Sequence, residues 1–142
     1  MRTDLIAKAE TVIAAPRDAV WKALVTPAEI RKYMFGTEAR SDWKAGSAIV
    51  WEGEWQGKPY QDKGVILAIE PGRLLRYTHF SPLSGLPDIP GNYHTVTLEL
   101  EDAGPGTRLA LSQDHNGNEE AKAHSEKNWA MMLASLKALL EA

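Results

Sequence analysis

The chain has 142 residues, 44% hydrophobic and 25% charged, with 8 prolines and 11 glycines, which suits one globular domain around a single core. Its 16 Lys and Arg against 19 Asp and Glu give a net charge of -3 with no basic block, which argues against nucleic-acid binding. Cysteine is absent, which excludes disulfides, thiolate metal sites and cysteine nucleophiles. The opening MRTDLIAKAE lacks the apolar run of a signal peptide, and no stretch approaches the ~20 apolar residues of a membrane span. A cytoplasmic protein without membrane insertion is expected.

In chain order, DLIAKAETVIAA has the small and β-branched residues of a strand. APRDAVWKALV then reads as a short helix, with Pro16 suited to its first turn and Val20, Ala23 and Leu24 as its apolar stripe. TPAEIRKYM predicts a second helix, with Thr26 as N-cap, Pro27 at the first helical position and Glu29 completing a capping box. Residues 38 to 113 read as strands: EARSDW, SAIVWEGEW, YQDKGVILAIE, RLLRYTHF, YHTVTLELE and TRLALSQ. Turn residues at Ala45-Gly46, Gln56-Gly57, Pro71-Gly72 and Gly104-Pro105-Gly106 join them into an antiparallel meander. The last segment places Trp129, Met132, Leu133, Leu136, Leu139 and Leu140 at helical spacing, which predicts a terminal helix of about six turns. Residues 1 to 142 thus read as a single α+β domain. A curved antiparallel sheet of about seven strands wraps a long C-terminal helix, with two short helices after strand 1. Since one helix is only about 10 Å wide, a pocket beside it is expected.

Alternation along strands selects the residues facing that pocket. Leu75, Tyr77 and His79 share one face, as do His94, Val96, Leu98 and Leu100. Pairing His79 with His94 sets Tyr77 against Val96 and Leu75 against Leu98, which keeps every apolar residue inside. Trp51 and Trp55 face inward with Gly53 leaving space between them, and Glu52 and Glu54 face water. The reversed parity would turn two acids into the cavity, in a spacing suited to general acid–base work. Leu67 from the next strand, and Asn128, Met132 and Leu136 from the terminal helix, complete the expected wall. His124 reads as surface and His115 as turn or cap chemistry. Between the two histidine-bearing strands, residues 80 to 92 carry Pro82, Pro87 and Pro90 with Leu83, Leu86 and Ile89. A stiff apolar loop of this length serves either as a lid, with Leu83 and Leu86 over the ligand, or as packing on the edge of the fold. His79 and His94 lack a third ligand by spacing, so no metal is assigned. No Gly-x-Ser-x-Gly elbow or phosphate cradle occurs, and no catalytic residue or cofactor is assigned.

The segments VIAAPRDAVWKALVTPAEIRKYM, KGVILAIEPGRLLRYTHF, GTRLALSQ and NWAMMLASLKALLE resemble the AHSA-type branch of the SRPBCC superfamily. That branch is similar to the C-terminal domain of the heat-shock-protein-90 ATPase activator, and more distantly to START and birch-pollen-allergen-like domains. The resemblance implies the helix-grip fold over a hydrophobic cavity. It implies binding of a small hydrophobic or aromatic ligand, lipid-, polyketide- or flavonoid-like, as the leading function. Two alternatives stay open: a cyclase or hydro-lyase using His79, His94 or a buried carboxylate, and a stress-related chaperone-partner module. The separate N-terminal domain of the chaperone activator has no counterpart here, which weighs against the last. A monomer or a homodimer is expected.

Overall fold

The computed structural model describes residues 5–55, 57–82 and 85–142. Strand β1 (Ala7–Ile13) leads into helices α1 (Arg17–Val25) and α2 (Pro27–Tyr33). Then come β2 (Glu38–Ser41), β3 (Ala48–Trp55), β4 (Lys58–Glu70), β5 (Leu74–His79), β6 (His94–Ala103) and β7 (Gly106–Gln113), and helix α3 (Glu119–Glu141) closes the chain. The seven strands form one antiparallel sheet in the order β1-β7-β6-β5-β4-β3-β2, so the α+β helix-grip architecture expected from the sequence is present. The register across β5 and β6 is also the expected one, pairing Leu75 with Leu98, Tyr77 with Val96 and His79 with His94.

Inward residues of the sheet (Ile49, Ile66, Leu75, Val96, Leu98, Leu109 and Leu111) are buried against Met132, Leu133 and Leu136 of α3. The short helices add Val20, Ala23, Leu24, Ile30 and Tyr33 to the same core. The Tyr33 hydroxyl donates to the Ala23 carbonyl at 3.0 Å, which ties α2 to α1. Burial of this phenol raises its pKa and keeps it neutral.

Helix α3 is fixed along the open edge of β1 by its own polar side chains. Glu126 accepts from the Lys8 amide at 3.0 Å, Glu141 accepts from the Ala14 amide at 2.8 Å, and Lys137 donates to the Val12 carbonyl at 2.7 Å. These bonds satisfy backbone groups that an edge strand would otherwise present to another chain. Buried Asn116 holds the turn before α3, donating to the carbonyls of Leu5 at 2.8 Å and Gln113 at 3.0 Å.

The capping box expected at Thr26 is not formed. The Thr26 side chain makes no cap hydrogen bond, and Glu29 instead meets Lys32 at 3.3 Å. Thr26 also ends α1, so its carbonyl, accepting from Glu29 and Ile30 at 3.0 Å, makes the junction. The side-chain cap is at Asn118, whose Oδ1 accepts from the Ala121 amide at 2.8 Å. Asn118→Ala should therefore cost about 1 kcal/mol in chemical denaturation, and Thr26→Ala no more than a few tenths. Equal losses would show that both side chains cap.

Candidate functional site

Two residues separate Trp55 from its partner Lys58, which fixes the β3–β4 register and sets Gly53 opposite Tyr60 and Trp51 opposite Asp62. The space expected beside Gly53 is taken by Tyr60: a Cβ on Gly53 would come within 2.8 Å of the Tyr60 Oη. Lying over the glycine, Tyr60 shares a 2.8 Å hydrogen bond with the Thr37 hydroxyl. That contact joins β4 to the segment between α2 and β2.

The same segment makes a Schellman-type helix end, with the Gly36 amide donating to the Arg31 carbonyl at 2.9 Å. The left-handed position, usually glycine, is Phe35 at φ 56°. Phe35 is 71% exposed, so an aromatic residue stands in water on a backbone conformation that costs an L-residue about 1 kcal/mol.

Met34, Phe35, Thr37 and Tyr60 form one side of a pocket of about 380 Å³, and Gln113 with Ser125, Asn128, Trp129 and Met132 forms the other. The volume is within the usual range for small-molecule sites, roughly 300–1,000 Å³. Trp129 donates its indole N–H to the Gln113 side-chain oxygen. Beneath this mouth, Trp43, Ile49, Trp51, Tyr77 and Leu98 leave a void of only about 30 Å³, which shares Met34, Trp129 and Met132 with the mouth. That is room for about one or two waters. The expected space under the helix is thus filled by aromatic side chains, and the mouth pocket lies beside the N-terminal half of α3.

A polar row crosses the inner face next to the mouth. Asp62 is the next inward residue after Tyr60 on β4, and its Oδ2 accepts from His79 Nε2 at 2.9 Å. The His79 ring lies 5.2 Å from Trp51 and 6.4 Å from the His94 ring, centroid to centroid. His94 Nδ1 donates to the Asp114 carbonyl at 2.8 Å, and the Asp114 carboxylate accepts from the Thr95 amide at 2.6 Å. Burial is the largest influence on His94 and lowers its pKa; the hydrogen bond to Asp114 opposes this and the nearby His79 adds to it.

The sequence-derived residues divide among several places. Trp51, Tyr77 and Met132 line the small void, and Met132 also reaches the mouth. Val96 and Leu136 are fully buried core. Asn128 stands at the rim, donating to His124 Nε2 at 3.1 Å. Leu67 is a correction. The register of β4 against β5 shifts between Ile66 and Ala68, and Leu67 is 48% exposed on the outer face beside buried Ile66. Leu86 is 45% exposed and lines none of the mouth. Leu83 and the Trp55 side chain lie outside the described residues. The Glu52 and Glu54 parity is the outward one, with Glu52 paired to Arg40.

The described part of the proline loop is fastened to the outer side of the sheet. Asp88 pairs with Lys63 and accepts from the Tyr93 hydroxyl at 2.6 Å, and Tyr93 stacks on buried Phe80 at 5.1 Å. Parity explains this, because Lys63, Phe80 and Tyr93 each adjoin an inward-facing neighbour. Sequence reasoning missed Met34, Phe35, Thr37, Tyr60, Gln113, Ser125 and Trp129 as mouth residues, and Asp62 as the partner of His79. Pairing Trp55 with Lys58 and counting forward by two along β4 would have found Tyr60 and Asp62. Nothing local in the sequence marks Phe35.

A single long helix gripped by a curved antiparallel sheet, with a pocket where the helix leaves the sheet uncovered, defines a helix-grip domain of the SRPBCC type. The chain belongs to the family described as activator of Hsp90 ATPase homolog 1-like proteins, whose model matches residues 14–141. The solution structure of ChR145 from Cytophaga hutchinsonii is similar at 53% identity and TM-score 0.86, over 99% of this chain and 97% of that one. CalU16 from Micromonospora echinospora is similar at 26% identity and TM-score 0.74, over 98% of this chain and 81% of that one. The Aha1 dimer from Colwellia psychrerythraea shares the fold at 19% identity and TM-score 0.74, over 96% of each chain. No curated protein matches the chain.

The His94 environment sets a pH dependence. Its folded-state pKa lies below the ordinary value near 6.5, so between the two values the unfolded chain holds more protons than the folded one. Stability therefore falls as pH drops from about 7 through the folded value, and does not change above that window. His94→Asn keeps a donor for the Asp114 carbonyl and should flatten this part of the curve in urea denaturation at pH 7.5 and pH 5. An unchanged slope would assign the loss to other groups.

Proposed function

We infer that the mouth pocket binds a small, flat, largely apolar ligand, aromatic or polyketide-like, with its polar edge toward Tyr60, Thr37 and Gln113. The observation that carries this reading is Phe35: an aromatic residue held 71% exposed at the rim of a pocket of about 380 Å³, on backbone that glycine would occupy without strain. Such strain persists where a side chain has a use that outweighs it. Bound beneath Phe35 and against Trp129, a flat ligand would cover both rings. Met34 and Met132 supply adaptable side chains to the same wall. Ligand binding also suits a filled interior, because Trp129 and Met132 separate void from mouth and can yield to part of a ligand.

We further propose a cytoplasmic protein that is a monomer or a homodimer, the latter suggested by the Aha1 dimer of the same fold. Chaperone contact is the second role to test, suggested by the family description. The outer-face pair Val65 and Leu67, 41% and 48% exposed, offers a surface for it. No helix among the described residues is long and apolar enough to cross a membrane.

Native mass spectrometry and thermal shift against a panel of naphthalenes, flavonoids and fatty acids test the main reading. A ligand at a hundred times its Kd should raise Tm by roughly 5–10 °C. Phe35→Gly should stabilise the free protein by about 1 kcal/mol and yet reduce the ligand-induced shift, whereas Leu67→Ser should leave that shift unchanged. A panel without any stabilising compound, or a Phe35→Gly variant that responds like the parent, contradicts the reading.

A further inference from the structure

The row formed by Asp62, His79, His94 and Asp114 has a chemical asymmetry that packing does not account for. Each imidazole has one nitrogen committed as a donor to an oxygen. His79 Nε2 donates to the Asp62 carboxylate at 2.9 Å, and His94 Nδ1 donates to the Asp114 carbonyl at 2.8 Å. In its neutral form each ring is thereby held as the tautomer whose other nitrogen carries a lone pair. Neither His79 Nδ1 nor His94 Nε2 has a hydrogen-bond partner among the described residues. The second carboxylate oxygen, Asp62 Oδ1, is buried and likewise without a partner among the described residues. Groups of this kind in a folded protein call for an explanation, because an unmet buried acceptor is costly.

Register places the row on the inner face next to the mouth, one step along the strands from Tyr60 and Gln113 and outside the pocket's own lining. Asp62 follows Tyr60 on the inner face of β4, and Gln113 is paired with Val96, the inward residue next to His94 on β6. Tyr60 and Gln113 both line the mouth. The His79 and Asp62 side chains keep 26% and 19% of their exposure, and they do so on the inner side of the sheet. An acceptor-only pair of imidazoles selects for a ligand that donates. A ketone or ether presents no proton to it, whereas a phenol or enol presents an acidic one.

We propose that this row recognises and deprotonates an acidic hydroxyl, so that the ligand class of the mouth pocket is phenolic or enolic and His79 is the residue that takes the proton. The inference rests on the ligand reading above and adds the chemistry of the bound group. In the step, the ligand O–H bond breaks, its electron pair stays on oxygen, and the proton passes to His79 Nδ1. The imidazolium so formed faces the Asp62 carboxylate, and the anionic oxygen remains against it as a charge-assisted pair, with no other reactant consumed. His94 Nε2 accepts from a second hydroxyl or a water and leaves the proton count unchanged. Asp62 acts through His79 and is a positioning residue.

The test compares 2-naphthol with 2-methoxynaphthalene, which has the same rings but no O–H, using near-ultraviolet difference absorption of the complex with the intact protein; naphthol and naphtholate absorb in distinct bands. The expected result is tighter binding of 2-naphthol by at least about tenfold, with naphtholate absorption from the complex at a pH where free 2-naphthol is neutral. Asp62→Asn and His79→Phe should bind the methyl ether as the parent does, which shows an intact pocket, while losing the naphtholate band and the preference. Equal binding of the two probes, or a naphtholate band that survives both substitutions, overturns the deprotonation proposal and leaves the apolar pocket standing. If neither probe binds, the ligand reading beneath the proposal fails and the proposal falls with it.

Discussion

Seven strands about 4.8 Å apart make a sheet roughly 29 Å across, and the one helix that covers it is about 10 Å wide. This mismatch governs the rest of the structure. Some of the uncovered inner face is closed by curvature, and some by α1 and α2, which bring Val20, Leu24, Ile30 and Tyr33 over the sheet. Large aromatic side chains fill what remains, with Trp43, Trp51, Tyr77 and Trp129 reducing the interior to a void of about 30 Å³. Near Tyr60 and Gln113 filler runs out, and there the pocket opens. Its position follows from where α3 is held, and the bonds from α3 side chains to the backbone of β1 and of Ala14 just past it hold it.

Much of the fold was legible because its signals are periodic. Alternation in RLLRYTHF and HTVTLEL was enough to derive the His79–His94 pairing, since any one-residue slip would turn Leu75 or Leu98 to water. The helical stripe of Met132, Leu133 and Leu136 was equally plain. What failed were features set by tertiary competition. Thr26 has the residues of a capping box, yet it also terminates α1 and its carbonyl serves the junction. Leu67 is outward by the same alternation that buries Gly64 and Ile66, so its face follows only once the parity of β4 is fixed by its register with β3. Phe35 could not be found from pattern, because its significance lies in a left-handed φ that sequence would assign to glycine.

The proline loop shows how a local reading can name the right alternatives without choosing between them. Its apolar residues suited a lid, but Lys63, Phe80 and Tyr93 all face outward and draw Asp88 to the outer side. The described residues therefore cover Phe80 and leave the mouth to Phe35. Both His79 and His94 remain at the roots of the loop, facing inward beside Asp62. Polar chemistry and apolar volume are thus adjacent on one face, with Tyr60 and Gln113 as the border. That arrangement gives a bound flat molecule an apolar grip and a hydrogen-bonding edge at once.

The central claim is that ligand enters at the mouth between Phe35 and Trp129. The chain's 4 methionines allow a direct check by methyl-¹³C methionine labelling. Met34 and Met132 line the mouth, and Met131, one residue away, is 52% exposed and absent from its lining. Titration with 2-methoxynaphthalene should move the Met34 and Met132 methyl signals by ring current and leave Met131 in place. A saturable ligand that shifts Met131, or that binds without moving Met34 and Met132, would contradict the assignment.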